Sequence, residues 1–84
     1  MQPRADWERA VFDAAAHFLT IDMARSFTDP ERRARWPTFP QALQFARKSD
    51  RVCIYAVTPA ERSTILERAA WDRWEERWNQ RSPS

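Results

Sequence analysis

The run Val52–Val57 most constrains the fold of this chain, because each of its six positions is apolar. Four of these side chains (Val52, Ile54, Tyr55 and Val57) are β-branched or aromatic, which favours a pleated backbone over a helix. A strand that is apolar on both faces needs apolar cover on both faces. We therefore predict a buried strand at the centre of the fold, with the other elements packed around it.

Residues 58–61 follow this strand with the sequence of a helix start. Thr58 suits an N-cap, Pro59 the first helical position, and Glu61 the acidic position of a capping box. The pattern predicts a helix over residues 59–80. The alternative is a strand at residues 64–67, joined to the central strand by a hairpin across residues 59–62. We disfavour this alternative because the chain has no glycine, the residue that tight hairpins prefer.

Two further helices are predicted upstream of the central strand. Apolar residues at helical spacing after Asp6 predict a helix over residues 6–18, and Thr38 with Gln41 forms a capping box for a helix over residues 39–48. Residues 19–24 alternate between apolar and polar side chains, which fits a short strand and a continued helix equally well. Residues 31–36 are strongly basic and predict one or two helical turns that end before Pro37.

These patterns predict a single small domain over residues 1–84, of the α+β class and predominantly helical. Three main helices would pack around one or two short strands, with residues 1–5 and 81–84 disordered. A chain of this length buries only about 60–65% of its unfolded surface. We therefore expect its five Trp and five Phe residues to supply much of the core.

Composition restricts the environment and the chemistry. A mean hydropathy of −0.80 and 31% charged residues predict a soluble protein. No apolar run approaches the roughly 20 residues of a membrane span, and the first residues lack the apolar region of a signal peptide. One cysteine allows no internal disulfide and is typical of a reducing cytoplasm. The lack of glycine excludes glycine-rich phosphate loops.

Few residues offer catalytic chemistry. His17 follows Asp13 by one helical turn, which is the spacing of an ordinary helix contact as well as that of a catalytic pair. Cys53 lies inside the apolar run, where a thiol behaves as a small hydrophobic group. One histidine and one cysteine fall short of the about four ligands of a structural zinc site. We therefore predict no enzyme, no metal site and no cofactor.

Positive charge is concentrated in residues 25–51, which carry seven basic and three acidic residues. Trp36 lies in this segment, and binding hot spots are enriched in Arg and Trp. The alternative is a solvated basic surface with Trp36 in the core. The predicted binding residues, called the basic set below, are Arg25, Arg32, Arg33, Arg35, Trp36, Arg47, Lys48 and Arg51.

The first functional hypothesis is a non-enzymatic protein-interaction module, an adaptor or inhibitor that docks its basic surface on a larger acidic protein. Phages and mobile elements often encode inhibitors of this size, anti-CRISPR proteins among them, although no motif here indicates such a family. The alternative is a nucleic-acid-binding protein whose basic set tracks phosphates while Trp36 stacks on a base. A homodimer is compatible with both hypotheses, because a second copy could complete the sheet around the central strand. No membrane association is expected.

Overall fold

A computed structural model of the protein describes the backbone of residues 3–81 and the side chains of residues 6–81. The elements are α1 (Pro3–Asp13), β1 (His17–Asp22), β2 (Arg33–Trp36), α2 (Phe39–Ala46), β3 (Val52–Val57), β4 (Ser63–Leu66) and α3 (Trp71–Arg81). Short 3₁₀ turns over Pro30–Arg32 and Arg68–Ala70 precede β2 and α3. Of the termini predicted to be disordered, residues 1, 2 and 82–84 lie outside the described residues, whereas α1 begins at Pro3 and α3 ends at Arg81.

The four strands form one antiparallel sheet in the order β2-β1-β3-β4. Leu19 of β1 lies opposite Arg35 of β2 on one side and Tyr55 of β3 on the other. Tyr55 in turn lies opposite Ile65 of β4. These four residues therefore form one row across the sheet. Because successive side chains of a strand point to opposite faces, such rows define which residues share a face.

One face of the sheet carries the helices and the core. Alternate residues of β1 and β3 are buried on this face, among them Phe18, Thr20 and Ile54. The helices contribute the apolar residues that cover them, and Phe12 of α1 and Phe39 of α2 are fully buried at the centre. The remaining buried apolar residues are Val11, Ala15, Ala42, Leu43, Ala46, Val52, Ala56, Leu66 and Trp71.

The opposite face of the sheet, called the open face below, is apolar at its centre. Its central side chains are half-buried: Leu19, Ile21, Tyr55, Val57 and Ile65. A shallow depression on this face is lined by residues of the four strands and of the β3–β4 turn, with no residue of α1, α2 or α3 among them. The prediction that β3 is apolar on both faces is therefore correct, but within residues 3–81 the helices cover only one of those faces.

The predicted predominantly helical fold is wrong. The protein is a small α+β domain, 43% helical and 26% strand, with three helices and a four-stranded antiparallel sheet. The sequence analysis expected one or two short strands. The additional strands come from segments whose local patterns favour helix, and the sheet pairs them with β3 and β1.

Two of the corrected segments lie in the first half of the chain. The helix predicted over residues 6–18 ends at Asp13, and the strand alternative for residues 19–24 is correct but begins earlier, at His17. Residues 33–36, predicted as part of a basic helical turn, form β2. Arg33 and Arg35 are exposed, whereas Ala34 and Trp36 are half-buried. This alternation has the period of two residues that is typical of a strand.

The helix predicted over residues 59–80 forms only from Trp71 onwards, as α3, and the disfavoured hairpin to β4 precedes it. Thr58 does not cap a helix; its hydroxyl oxygen accepts a hydrogen bond from the Arg62 N–H at 3.1 Å, across the turn. Glu61 donates its N–H to the Thr58 carbonyl at 2.8 Å and has a positive φ of 65°. The left-handed conformation that usually requires glycine is therefore adopted here by a glutamate.

Substitution Glu61→Asn is expected to raise the free energy of unfolding by about 0.5–1 kcal/mol, because a left-handed residue other than glycine costs roughly 1–2 kcal/mol and asparagine tolerates that conformation better. Urea unfolding in dilute solution measures the change. Glu61→Ala is the control, since it removes the same carboxylate without relieving the backbone. Equal stability of the two variants would show that the positive φ carries no cost.

Two local predictions are confirmed. Helix α2 begins at Phe39 as expected, with the Thr38 hydroxyl accepting from the Gln41 N–H at 3.4 Å, and it ends at Ala46. Strand β3 spans Val52–Val57, the range predicted. Trp71, the first residue of α3, is 4% exposed, and its indole N–H donates to the Leu66 carbonyl at 2.8 Å.

Candidate protein-binding surface

The structure divides the basic set among three places. Arg25 and Arg32 lie between β1 and β2, and Arg33 and Arg35 are on β2, the edge strand. The remaining basic residues, Arg47, Lys48 and Arg51, follow α2 and lead into β3. A hydrogen bond of 2.8 Å from the Met23 N–H to the Arg51 carbonyl joins the last segment to the β1–β2 loop, so the two loops meet at one end of the sheet.

Arg25 is neutralised within its own loop. Its guanidinium forms ion pairs with Asp22 at 3.4 Å, Asp29 at 3.1 Å and Glu31 at 3.4 Å. The Glu31 backbone N–H and the Arg25 side chain both stabilise the charged Asp29 carboxylate and so lower its pKa. The pKa of Arg25 is raised, first by its hydrogen bond to Asp29. Arg25 therefore orders the loop and is not available to a partner.

Arg47 is also used within the protein. Its guanidinium nitrogen lies 3.1 Å from an Asp72 oxygen and 3.7 Å from a Glu75 oxygen, both on α3. Exposed ion pairs of this kind contribute little to stability, but they neutralise the charge of the Arg47 guanidinium. Arg47 thus connects α2 to α3 on the side of the molecule that carries the helices.

The other basic residues have no carboxylate partner among the described residues. Arg33, Arg35, Lys48 and Arg51 are exposed, and their side chains make no ion pair or hydrogen bond with residues 6–81. Arg32 is half-buried and donates to the Arg25 carbonyl at 2.6 Å. The end of the sheet where the two loops meet therefore carries uncompensated positive charge.

Trp36 packs with the core and is not presented to solvent. Its ring centroid lies 5.3 Å from that of Phe45 on α2, and the ring is half-buried. Its indole N–H donates to the Thr20 hydroxyl at 2.9 Å. Because both its surface and its polar atom are used internally, we leave Trp36 out of the candidate surface.

The hydrogen bond between Trp36 and Thr20 gives a stability prediction. Thr20 is 1% exposed, so Thr20→Val leaves a largely desolvated indole N–H without an acceptor and is expected to cost about 1–2 kcal/mol of unfolding free energy. Thr64→Val is the matched control, because Thr64 is 5% exposed on the same sheet and its hydroxyl makes no hydrogen bond with the described residues. A loss of the same size in both variants would contradict the assigned role of Thr20.

Phe27 is the most exposed large apolar residue among those described, with 82% of its side chain accessible. It lies in the β1–β2 loop, and the guanidinium carbon of Arg32 is 5.3 Å from its ring centroid. Met23, 50% exposed, is in the same loop, and its sulfur accepts a hydrogen bond from Arg32 at 3.8 Å. An exposed aromatic ring flanked by an arginine is typical of a protein-binding hot spot.

Side-chain hydrogen bonds fix the loop that carries Phe27. An Asp22 carboxylate oxygen accepts from the Ala24 N–H at 3.0 Å, and an Asp29 oxygen accepts from the Glu31 N–H at 2.8 Å and begins the 3₁₀ turn. These are the local contacts that Asp favours in turns. The loop is therefore organised before any partner binds, which lowers the entropy lost on association.

The sequence analysis did not single out Phe27. A phenylalanine in an irregular segment has no periodicity that distinguishes an exposed ring from a buried one. The available signal was its neighbourhood, because Ser26, Thr28 and Asp29 are turn-forming residues that place a short segment at the surface. Charge clustering includes the β1–β2 loop through Arg25 and Arg32 but gives no signal for Phe27 between them.

The residues weighed for catalysis are not brought together. Asp13 forms a two-point ion pair with Arg77 at 2.8 and 2.5 Å, and this hydrogen bonding lowers the pKa of the Asp13 carboxyl. His17 begins β1 instead of following Asp13 on a helix. Cys53 of β3 lies opposite Ile21 of β1. Because Ile21 is four residues further along β1 than His17, Cys53 and His17 are about 14 Å apart along the strand direction. Neither a His17–Asp13 nor a His17–Cys53 pair is therefore formed.

Residues 6–81 contain no group of three or more His, Cys, Asp or Glu side chains placed to hold a metal ion. Among the helices described, none combines the length and the apolar character needed to cross a bilayer.

No protein-family model, no curated protein and no solved structure matches the chain, so the candidate surface is interpreted from its own geometry.

Proposed function

We propose that the protein is a non-enzymatic interaction module, an adaptor or inhibitor, that docks on an acidic surface of a larger protein. The docking surface, called the loop surface below, consists of Phe27 and Met23 together with the nearby basic residues Arg32 and Arg51. The observation that carries the proposal is the 82% exposure of Phe27 in a loop held by its own hydrogen bonds.

The charge around Phe27 supports an acidic partner. The three carboxylates of the loop are all paired with Arg25, so they do not offset the other basic residues. Arg51 has no ionic partner among the described residues, and the Arg32 guanidinium lies over the Phe27 ring. A partner with an apolar pocket bordered by Asp and Glu side chains would receive the ring and pair with these arginines.

A nucleic-acid ligand is the second candidate, favoured by a different observation. Tyr55 lies on the open face in the same row as Arg35, and an aromatic ring beside arginines on an antiparallel sheet can stack on an unpaired base. Against this candidate, Tyr55 is the one Phe, Tyr or Trp residue on the described open face, and the carboxylate of Glu61 borders the same depression. We therefore rank this candidate below protein docking.

Affinity purification from the cells that naturally make the protein tests the proposal. The tagged protein would be recovered with and without nuclease treatment, and the co-purifying molecules identified by mass spectrometry. The proposal predicts one protein partner, recovered equally in both samples. Loss of all partners with nuclease, together with steep salt dependence of binding to mixed-sequence DNA or RNA, would support the nucleic-acid candidate instead.

A further inference from the structure

The proposed function leaves the open face of the sheet unexplained. In an antiparallel sheet with one solvated face, outward positions are normally polar. Here five of the six outward residues of β1 and β3 are apolar and half-buried, namely Leu19, Ile21, Cys53, Tyr55 and Val57; the sixth is His17, at the start of β1. Helices cover the other face only. The apolar character of β3 on both sides therefore indicates that a second layer packs on the open face.

Charges at the borders of this face are complementary to each other. Arg33 and Arg35 lie along the β2 edge, and Glu61 lies in the β3–β4 turn, beyond the opposite side of the same depression. None of the three side chains forms an ion pair within the described residues. One border therefore offers unpaired cations and the other an unpaired carboxylate, with apolar residues between them.

We propose that the open face is covered by the open face of a second copy of this chain. A two-fold axis parallel to the strands places the β2 edge of one copy over the β4 side of the other. Arg35 of each copy then faces the side that carries Glu61 in its partner, while the apolar centres meet. An axis perpendicular to the strands would instead place arginines over arginines, an arrangement opposed by like-charge repulsion.

The backbone at Glu61 gives independent support. Its φ of 65° is a conformation in which a glutamate is strained and a glycine or asparagine is not. Such outliers are concentrated at functional sites. In the dimer the turn holds the Glu61 carboxylate at the side of the sheet that faces the β2 edge of the other copy.

The size of the face sets the expected strength of the dimer. β1 and β3 have six residues each and are about 20 Å long, and β2 and β4 have four each and are about 13 Å long, so strands about 4.8 Å apart cover roughly 300 Å² per copy. Stable complexes typically bury about 800 Å² per partner. The dimer is therefore weak and forms only at high protein concentration. It would place two loop surfaces on one particle, because the β1–β2 loop lies at the end of the sheet and not on its open face.

Sedimentation equilibrium of the purified protein from about 1 to 500 μM tests the proposal, since the mass should rise with concentration from 10.0 kDa towards twice that value. Arg35→Glu and Glu61→Arg should each weaken association at least about tenfold, and the double variant should recover most of it. Arg73→Glu is the control, because Arg73 is an exposed arginine of α3 without an ionic partner among the described residues.

Three outcomes decide the proposal. Concentration-dependent dimerisation with rescue by the double variant supports it. A monomer at every concentration overturns it, and so does a dimer that neither single variant weakens, because that dimer would use another surface. The test uses purified protein alone, so its result does not depend on whether the loop surface binds a partner. Circular dichroism of each variant shows that exposed substitutions on β2 and the turn leave the fold intact.

Discussion

Replacement of Phe12 by alanine is expected to lower the free energy of unfolding by about 3–5 kcal/mol. Phe12 is fully buried where α1, α2 and α3 meet the sheet, and its ring contacts four other aromatic rings. The centroid of Trp74 lies 4.7 Å away, and those of Phe18 and Phe39 each 5.6 Å away. Removing the ring leaves a cavity among side chains that cannot all move inward.

The loss of about 3–5 kcal/mol in Phe12→Ala is a large fraction of the total stability, because small domains are only marginally stable. At about 0.05–0.15 kcal/mol per residue, a chain of this size has roughly 4–13 kcal/mol in total. Urea unfolding of Phe12→Ala should therefore show a clearly lowered midpoint, which lies close to zero denaturant if the total stability is at the lower end of this range. Phe12→Leu, which keeps most of the volume, should remain folded and lose less. A loss below about 1 kcal/mol in Phe12→Ala would contradict the assigned core.

Phe27→Ala is expected to have the opposite profile, with stability unchanged to within about 0.5 kcal/mol and partner binding reduced about 30-fold or more. The ring is 82% exposed, so its removal leaves no cavity. As a hot spot it would instead lose the contacts made in the partner's pocket. The affinity for the partner identified by co-purification can be measured by calorimetry or by surface plasmon resonance.

The control for this prediction is Trp7→Ala. Trp7 is 44% exposed on α1, away from the β1–β2 loop, and its removal takes away a similar exposed aromatic surface. Binding that falls equally in both variants would point to a general effect of surface hydrophobicity. Unchanged binding in Phe27→Ala would exclude Phe27 as the anchor.

Local signals in the sequence predicted the elements that depend on local contacts. The capping box at Thr38 begins α2, and the apolar run Val52–Val57 forms β3, because each contains in a few residues the interactions that define it. The hairpin to β4 depends on a glutamate in a left-handed conformation, and the pairing of β4 with β3 stabilises it against that cost. Propensity alone cannot anticipate this tertiary contribution.

The candidate surface was predictable only in part, since charge density along the chain does not state which charges are used internally. Arg25 and Arg47 belong to the basic set but are paired with carboxylates, and Trp36 is packed with the core. Arg33 and Arg35 stay unpaired because strand alternation on β2 directs both to the open face. Ion pairing and strand register are tertiary properties. They decide which arginines form ion pairs within the protein and which remain exposed to a partner.

Site-specific photo-crosslinking tests the central claim, that Phe27 is the anchor of a protein-docking surface, most directly. Phe27 would be replaced by a benzoyl-phenylalanine in the cells that naturally make the protein, with the same probe at Trp7 as the control position. We expect the probe at position 27 to form a nuclease-resistant covalent adduct to a single protein, and the probe at position 7 to form little adduct. No adduct at position 27, or equal adducts at both positions, would contradict it.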